Sequence, residues 1–265
     1  MPSYLVTGAS RGLGYAWITH LASNPTNTVF GLVRNKTATE EALAKDGIKN
    51  VHVLSADVTD HKALLAAAEK TAEVTGGGLD ILIHNAAYIS ERSQFFTVLD
   101  DKPEEFAADL TASFQANVVG ATYLLNAFLP LIRRGKDKKI AVLSSGMADL
   151  DLVNQYSIAV ASPYTVSKAA ANMLVSKYHA ALGKQEGILV LSISPGFVNT
   201  RPNMLEEEIA GYQKLGAQFA EIAPDFKGPI ASLDSVKMQL EVIDRATVAE
   251  FGGAFVSHHG DKNWL

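Results

Sequence analysis

Short apolar runs alternate with longer segments of helical periodicity along the whole chain. Strands are predicted at residues 3–7, 28–33, 51–54, 79–84, 140–143 and 188–193, with a seventh at 254–256. Most of these runs are apolar at every position, which is typical of strands buried on both faces of a parallel sheet. Strands that alternate with helices predict an α/β fold. We therefore predict a Rossmann-type doubly wound parallel sheet of about seven strands, with helices on both faces.

The segments between the strands are predicted helices and loops. Residues 103–133 are a long helical stretch in two pieces, 232–245 are the last helix, and 88–102 and 146–162 are predicted loops. Residues 199–230 have only a weak helical pattern. No linker, repeat or low-complexity segment divides the chain, so residues 1–265 are predicted to form a single domain.

The first predicted strand ends in a glycine-rich turn. Gly8, Gly12 and Gly14 follow it, and the next segment has apolar residues on one side, as a helix would. A strand, a glycine turn and a helix can hold a dinucleotide, because the glycines let the backbone approach a pyrophosphate at the helix N-terminus. A plain glycine turn is the alternative; the flanking strand and helix favour nucleotide binding.

Polar or turn-forming residues also follow the other predicted strands. They are Arg34, Asp57, Asn85, Ser145 and Pro195. Ligands of such sheets bind beyond the carboxyl ends of the strands. We therefore expect these residues to surround one site.

A tyrosine and a lysine lie four positions apart in the segment Tyr164-Thr165-Val166-Ser167-Lys168. On a helix, positions i and i+4 lie on one face, so the phenol and the ammonium point the same way. A nearby positive charge favours the phenolate, which predicts a lowered pKa for Tyr164. A tyrosine tuned in this way can serve as a general acid and base. An ordinary solvated helix face is the alternative interpretation of this pattern alone.

Composition and charge exclude several classes of function. Apolar residues make up 48% of the chain and the net charge is −5, which suits a large core and disfavours nucleic acid as a partner. No cysteine is present, so disulfides and thiolate metal sites are excluded. We find no apolar run of membrane-spanning length and no room for a signal peptide before the first strand, and expect a cytoplasmic protein.

Taken together, these motifs resemble those of the short-chain dehydrogenase/reductase family in its single-domain form, over nearly the whole chain. The glycine turn is similar to the family's cofactor motif, and Asn85-Ala86-Ala87 to its Asn-Asn-Ala-Gly element, with His84 in place of the first Asn. The tail, with Gly252-Gly253, Phe255-Val256 and Trp264, resembles fungal carbonyl or polyketide-ketone reductases. The resemblance assigns the cofactor to Gly8, Ser10, Arg11, Gly12, Leu13, Gly14, Arg34, Asp57, Val58, Asn85, Ala86, Tyr164, Lys168, Pro195, Gly196, Val198 and Thr200.

The resemblance also implies catalytic roles in hydride transfer between a nicotinamide and a small-molecule carbonyl or alcohol. Tyr164 would donate a proton to the developing alkoxide, and Ser145 would hydrogen-bond the same oxygen. Lys168 would lower the pKa of Tyr164 and hold the nicotinamide ribose. Asn117 would bind a water that links Lys168 to solvent, with a polar residue in a helix kink as the alternative.

The end of the second strand indicates the cofactor. An NAD site would place an acid there for the ribose 2′-hydroxyl. The chain has Val33 at that position, followed by Arg34, with Arg11 in the glycine turn as a second cation. This basic pair resembles that of NADP-dependent members, and an arginine can bind phosphate oxygens bidentately. We therefore predict NADP(H).

One departure from the family concerns the catalytic serine. Ser145 and Tyr164 are nineteen positions apart, which is longer than the family's usual gap, and the extra residues lie in Met147–Ser162. Ser145 is the predicted catalytic serine, with Ser144 as the alternative. The insertion is expected to alter one wall of the substrate pocket.

Several questions stay open at this point. Residues 199–230 lie where the family carries a substrate lid, and Met204, Leu205, Tyr212, Leu215 and Phe219 either line an apolar pocket or only pack that segment down. Apolar positions on the two helices around Phe114 and Tyr164 predict a homodimer or homotetramer. A lyase, epimerase or cyclase-like enzyme, or a non-catalytic NADP-sensing scaffold, is the alternative to a ketone or aldehyde reductase, because fold alone does not decide function.

Overall fold

The computed structural model of the protein describes residues 1–100, 102–200, 206–223 and 226–265. Within these residues the strands are β1 Ser3–Thr7, β2 Thr28–Val33, β3 Val51–Ser55, β4 Ile81–His84, β5 Lys139–Leu143, β6 Leu189–Ser194, β7 Val198–Asn199, β8 Ile230–Ala231 and β9 Phe255–Ser257. The α-helices are α1 Gly12–Ala22, α2 Lys36–Lys45, α3 His61–Thr75, α4 Pro103–Phe114, α5 Gly120–Arg134, α6 Leu150–Tyr156, α7 Ser162–Glu186, α8 Glu206–Ile222, α9 Ser232–Arg245 and α10 Val248–Phe251.

Seven of the described strands form one parallel sheet in the order β3-β2-β1-β4-β5-β6-β9. The strand order reverses direction between β1 and β4, where a crevice opens at the carboxyl edge of such a sheet. The predicted seven-stranded parallel sheet of Rossmann type is confirmed. The remaining two strands, β7 and β8, pair with each other and join the two ends of the segment predicted as a lid.

Each face of the sheet is covered by helices, because alternate strand residues point to opposite faces. Tyr4 and Val6 of β1 belong to a buried cluster with α1 and α9, whereas Leu5 between them belongs to a second cluster with α3, α5 and α7. This double burial explains why the central strands are apolar at every position.

The helical stretch Pro103–Arg134 is long and apolar enough, by length and composition, to cross a membrane. Half of its most apolar 18-residue segment is buried inside the protein. Leu124 and Phe128 of α5 are fully buried against the sheet. We therefore interpret it as a core helix. Its two predicted pieces, α4 and α5, are joined by a π-helical turn at Gln115–Val119.

Two segments differ from their predictions. The predicted loop at 146–162 contains a 3-10 turn at Gly146–Ala148 and the helix α6, whose first turn is capped by the Asp149 carboxylate. The segment 199–230, predicted to be irregular with only a weak helical pattern, contains the 17-residue helix α8. In both segments the apolar residues of α6 and α8 pack on each other and on the C-terminal tail, and these contacts between distant segments cannot be inferred from the pattern of one segment alone.

Candidate active site

The glycine turn between β1 and α1 approaches its neighbours too closely for any side chain. Gly8 has a φ of +66°, and a Cβ on Gly14 would collide with the carbonyl oxygen of Gly8. Helix α1 begins at Gly12 without a side-chain cap from Arg11. The first N–H groups of the helix are therefore available to an anion, as a dinucleotide cradle requires.

The end of β4 braces this turn. The Asn85 side chain donates to the Thr7 carbonyl at 3.0 Å, and the Ala86 N–H donates to the Thr7 hydroxyl at 3.0 Å. His84 Nδ1 shares a hydrogen bond of 2.8 Å with the same hydroxyl. Burial lowers the pKa of His84 to about 3, so the ring is neutral. The bracing roles of Thr7 and His84 were missed at the sequence level, although both residues lie inside the motifs.

A cavity of about 820 Å³, which we call the long groove, follows the carboxyl edge of the sheet. It is lined by most of the residues predicted to bind the cofactor, namely Gly8, Ser10, Arg11, Leu13, Gly14, Arg34, Asp57, Val58, Asn85, Ala86, Tyr164, Lys168, Pro195 and Thr200. Gly12 lies just behind it, where a Cβ would come within 3.1 Å of the Thr200 carbonyl oxygen. The groove is thus lined by residues from the first three quarters of the chain.

One end of the long groove has two arginines and a carboxylate. Arg11 and Arg34 are exposed, and neither makes an ion pair within the described part of the chain. The Asp57 carboxylate accepts hydrogen bonds from the backbone N–H and the hydroxyl of Thr59, at 2.9 and 2.7 Å. The backbone N–H of Thr59 is the main cause of the lowered pKa of Asp57. The Thr59 turn therefore holds the Asp57 carboxylate, to which the Arg34 charge adds a smaller effect, and the two guanidinium groups keep donors for another anion.

A second cavity of about 190 Å³, which we call the aromatic pocket, opens beside the groove. Both cavities are lined by Leu13, Ile89, Ser144, Tyr164, Pro195 and Thr200. The predicted site residues Ser145, Gly196 and Val198 line the aromatic pocket and not the groove. No charged side chain lines the pocket among the described residues. Its surface therefore suits a neutral, apolar molecule that reaches Tyr164.

Three segments distant in sequence form the walls of the aromatic pocket. The insertion contributes Met147 and Leu152, helix α8 contributes Leu215 and Phe219, and the C-terminal tail contributes Trp264. These side chains also pack together as a third apolar cluster. The two interpretations left open for α8 are thus both correct for Leu215 and Phe219, while Met204 and Leu205 lie outside the described residues.

Tyr164 and Lys168 lie one turn apart on α7, as the spacing predicted. The Lys168 ammonium is 5.8 Å from the centroid of the Tyr164 ring and donates a 2.7 Å hydrogen bond to the Leu143 carbonyl. Burial lowers the pKa of Lys168 to about 8 and raises the pKa of Tyr164 above its ordinary value. The predicted lowering of the Tyr164 pKa was therefore wrong for the protein alone, because desolvation of the phenolate outweighs the ammonium charge.

Both candidate serines reach the aromatic pocket. The Ser145 hydroxyl accepts a long 3.3 Å hydrogen bond from the Met147 N–H and stays in the pocket. Ser144 lines both cavities, but its hydroxyl oxygen is buried and has no hydrogen-bond partner among the described residues. Of the two, Ser145 is the more accessible, so it is the better placed to offer a hydroxyl in the pocket that Tyr164 also lines.

Asn117 lies in the π-helical turn and lines neither cavity. Its side chain accepts from the Tyr88 N–H at 2.7 Å, and donates to the Tyr88 carbonyl and the Ser167 hydroxyl, each at 2.9 Å. All of these partners are protein atoms. Asn117 is therefore a polar residue in a helix kink that holds the loop after β4, and its role in binding a catalytic water stays a prediction.

Comparisons with known proteins agree with this site. Residues 3–210 match the model of the short chain dehydrogenase family. The chain is 51% identical to the short-chain dehydrogenase/reductase AacuF of Aspergillus aculeatus and 47% identical to the short chain dehydrogenase virK of Hypocrea virens, with 100% of each chain covered. An NADPH-bound carbonyl reductase from chicken fatty liver superposes with a TM-score of 0.77 at 25% identity, over 98% of both chains. The chain therefore belongs to the short-chain dehydrogenase/reductase family and is an oxidoreductase.

Proposed function

We propose that the protein is an NADP(H)-dependent reductase of ketones or aldehydes. The observation that carries this proposal is the position of Tyr164, which lines both the long groove and the aromatic pocket. A proton donor where the two cavities meet can protonate the oxygen of a carbonyl compound bound in the pocket, while the groove beside it holds the nicotinamide.

The residues of the groove fit a phosphorylated dinucleotide. The uncapped start of α1 and the close approach of Gly8 and Gly14 leave backbone N–H groups for a pyrophosphate. Arg11 and Arg34, which form no ion pair within the described residues, suit a 2′-phosphate. The NADPH-bound carbonyl reductase supports the same choice.

The cofactor, when bound, supplies a hydride to the carbonyl carbon. Tyr164 donates its proton to the carbonyl oxygen as that oxygen gains negative charge. The Ser145 hydroxyl, with Ser144 as the alternative, donates a hydrogen bond to the same oxygen and stabilises the charge as it develops. Lys168 holds its ammonium close to the Tyr164 ring, where it stabilises the phenolate that remains after proton transfer.

The pocket indicates the substrate class. Its walls carry Phe95, Phe197, Phe219 and Trp264 and no charged side chain among the described residues. Burying an unpaired ionised group against such walls is costly, so a neutral apolar carbonyl compound is favoured over a carboxylate or phosphate ester. We also propose that the enzyme acts in the cytoplasm as a homo-oligomer.

The test is a panel of neutral and anionic carbonyl compounds with NADPH and with NADH, followed by the loss of cofactor absorbance. The expected result is reduction of neutral apolar ketones or aldehydes with NADPH preferred. Tight NADPH binding without reduction of any panel member would contradict the proposal and favour a lyase-like enzyme or a sensing role.

A further inference from the structure

The C-terminal tail places two side chains in the wall of the aromatic pocket. Trp264 and Leu265 both line the pocket, and Trp264 is only 7% exposed. Its side chain lies against Gly146, where an added Cβ would come within 2.9 Å of the Trp264 Cβ. Gly146 follows Ser145 directly, so the indole packs next to the predicted catalytic serine.

Lys262 connects this tail to its surroundings. Its ammonium lies 4.9 Å from the ring centroids of both Phe255 and Trp264, within cation–π range. The two rings stack on each other with centroids 4.4 Å apart. Phe255 belongs to β9, so the stack and the ammonium fix the tail onto the edge of the sheet.

The same ammonium also reaches the insertion. Lys262 Nζ donates to Asp149 Oδ2 at 3.2 Å, while Asp149 Oδ1 accepts from the N–H groups of Asp151 and Leu152 and caps α6. Leu152 itself lines the aromatic pocket. One carboxylate therefore joins the insertion wall and the tail wall.

We propose that Lys262 is a positioning residue that holds Trp264 in the wall of the aromatic pocket, and that Trp264 there sets the size of carbonyl compound that reaches Tyr164. This inference rests on the proposed reductase activity for its kinetic part. Its structural part, the clamp on Trp264, is independent of any activity.

The clamp is tested by acrylamide quenching of tryptophan fluorescence. The chain has two tryptophans and Trp17 is fully buried, so a change in quenching reports on Trp264. In Lys262→Met, which keeps an apolar stem without charge, we expect the quenching constant to rise about two- to threefold. Lys262→Arg should restore the wild-type value, and Lys70→Met, which replaces an exposed lysine on α3, should not change it. Equal quenching in wild type and Lys262→Met overturns the clamp, even if no carbonyl substrate is known.

The size-setting role is tested with butanone and 2-acetylnaphthalene as a small and a bulky ketone. In Lys262→Met we expect KM for butanone to rise about three- to tenfold, because a loosened wall must be ordered on binding, with kcat and the KM for NADPH changed less than twofold. In Trp264→Ala the ratio of kcat/KM for the bulky ketone to that for the small one should rise at least tenfold, whereas Trp264→Phe should lie close to wild type. An unchanged ratio in Trp264→Ala, with wild type active, overturns the size-setting role. A wild type that reduces no ketone refutes the proposed function instead.

Discussion

The side-chain amide of Asn117 exchanges two hydrogen bonds with the backbone of Tyr88, accepting from its N–H and donating to its carbonyl. Tyr88 lines the long groove, and Asn117 lies in the π-helical turn between α4 and α5. The side chain of Asn117 in this turn thus provides hydrogen-bond partners for the backbone of a loop that pairs with no strand. The position of the groove wall depends on this pair.

Replacing Asn117 with alanine is expected to destabilise the protein. Both polar groups of Tyr88 would lose their partner, at a cost of about 1–3 kcal/mol for each group that stays buried. For a chain of this size we expect the Tm to fall by roughly 4 °C or more, together with a higher KM for NADPH. Calorimetry and steady-state kinetics measure both. An unchanged Tm with lost turnover would instead support the water-relay role.

Tyr164→Phe removes the proposed proton donor and keeps the ring. We expect kcat to fall by about 10²–10⁴-fold, the usual contribution of a positioned acid, with the Kd for NADPH little changed. Tyr178→Phe on the same helix is the control, because its hydroxyl bonds Asn126 on α5. Wild-type turnover in Tyr164→Phe would remove Tyr164 from the mechanism.

Arg34→Ala is expected to weaken the preference for NADPH over NADH. A hydrogen bond to a charged group contributes about 1.5–3 kcal/mol, so the ratio of kcat/KM values should fall by about one to two powers of ten. Arg133→Ala is a matched control, since Arg133 pairs with Glu186 near the end of α5. If the ratio is the same in wild type and Arg34→Ala, the assignment of Arg34 to the 2′-phosphate fails.

His84 should make the fold sensitive to acid. Its pKa is lowered from 6.5 to about 3 by burial, so the unfolded chain binds a proton that the folded protein excludes between these values. The contribution of His84 to the free energy of unfolding is therefore fully present above pH 6.5 and is lost as the pH falls towards 3. His84→Asn should reduce this loss by about 3 kcal/mol at pH 4, measured by urea unfolding between pH 7 and pH 4. His52→Asn, at an exposed position, is the control and should lose stability with falling pH as the wild type does. If His84→Asn loses as much stability as the wild type, the buried His84 ring is not the cause.

The surface of α4 and α7 is expected to form the contact between subunits. Phe114, Val166 and Met173 are 43%, 50% and 61% exposed on these two helices, which pack on each other. Light scattering at micromolar concentration should give about twice or four times the 28.3 kDa of one chain. Met173→Glu should shift the mass towards the monomer, whereas Leu65→Glu on α3 should not. A wild-type mass of one chain contradicts the prediction.

The sequence predicted the sheet well because most of its strands are apolar at every position. Residues such as Leu5 and Val6 are buried on opposite faces, and neither position tolerates polarity. The glycine turn was predicted for a similar reason, since Gly8 has a positive φ and a Cβ on Gly14 would meet the carbonyl oxygen of Gly8 within the motif itself. Local causes of this kind can be read along the chain.

The rest depended on contacts between distant segments. Helix α8 packs on the insertion and the tail, and a single-helix pattern does not contain those partners. The pKa of Tyr164 depends on how deeply the phenol is enclosed, and the role of Asn117 depends on Tyr88, which lies 29 residues away. Spacing indicated which residues meet, but not which physical effect dominates where they meet.

The third apolar cluster has few members in common with the sheet, since it is built from the insertion, α8 and the tail. A relative of this enzyme can therefore change its substrate specificity by exchanging these three segments, while the sheet and the residues Tyr164 and Lys168 stay in place. Chimeras should follow the same rule: exchanging one segment alone disrupts the packing of this small cluster, whereas exchanging all three together preserves most of it.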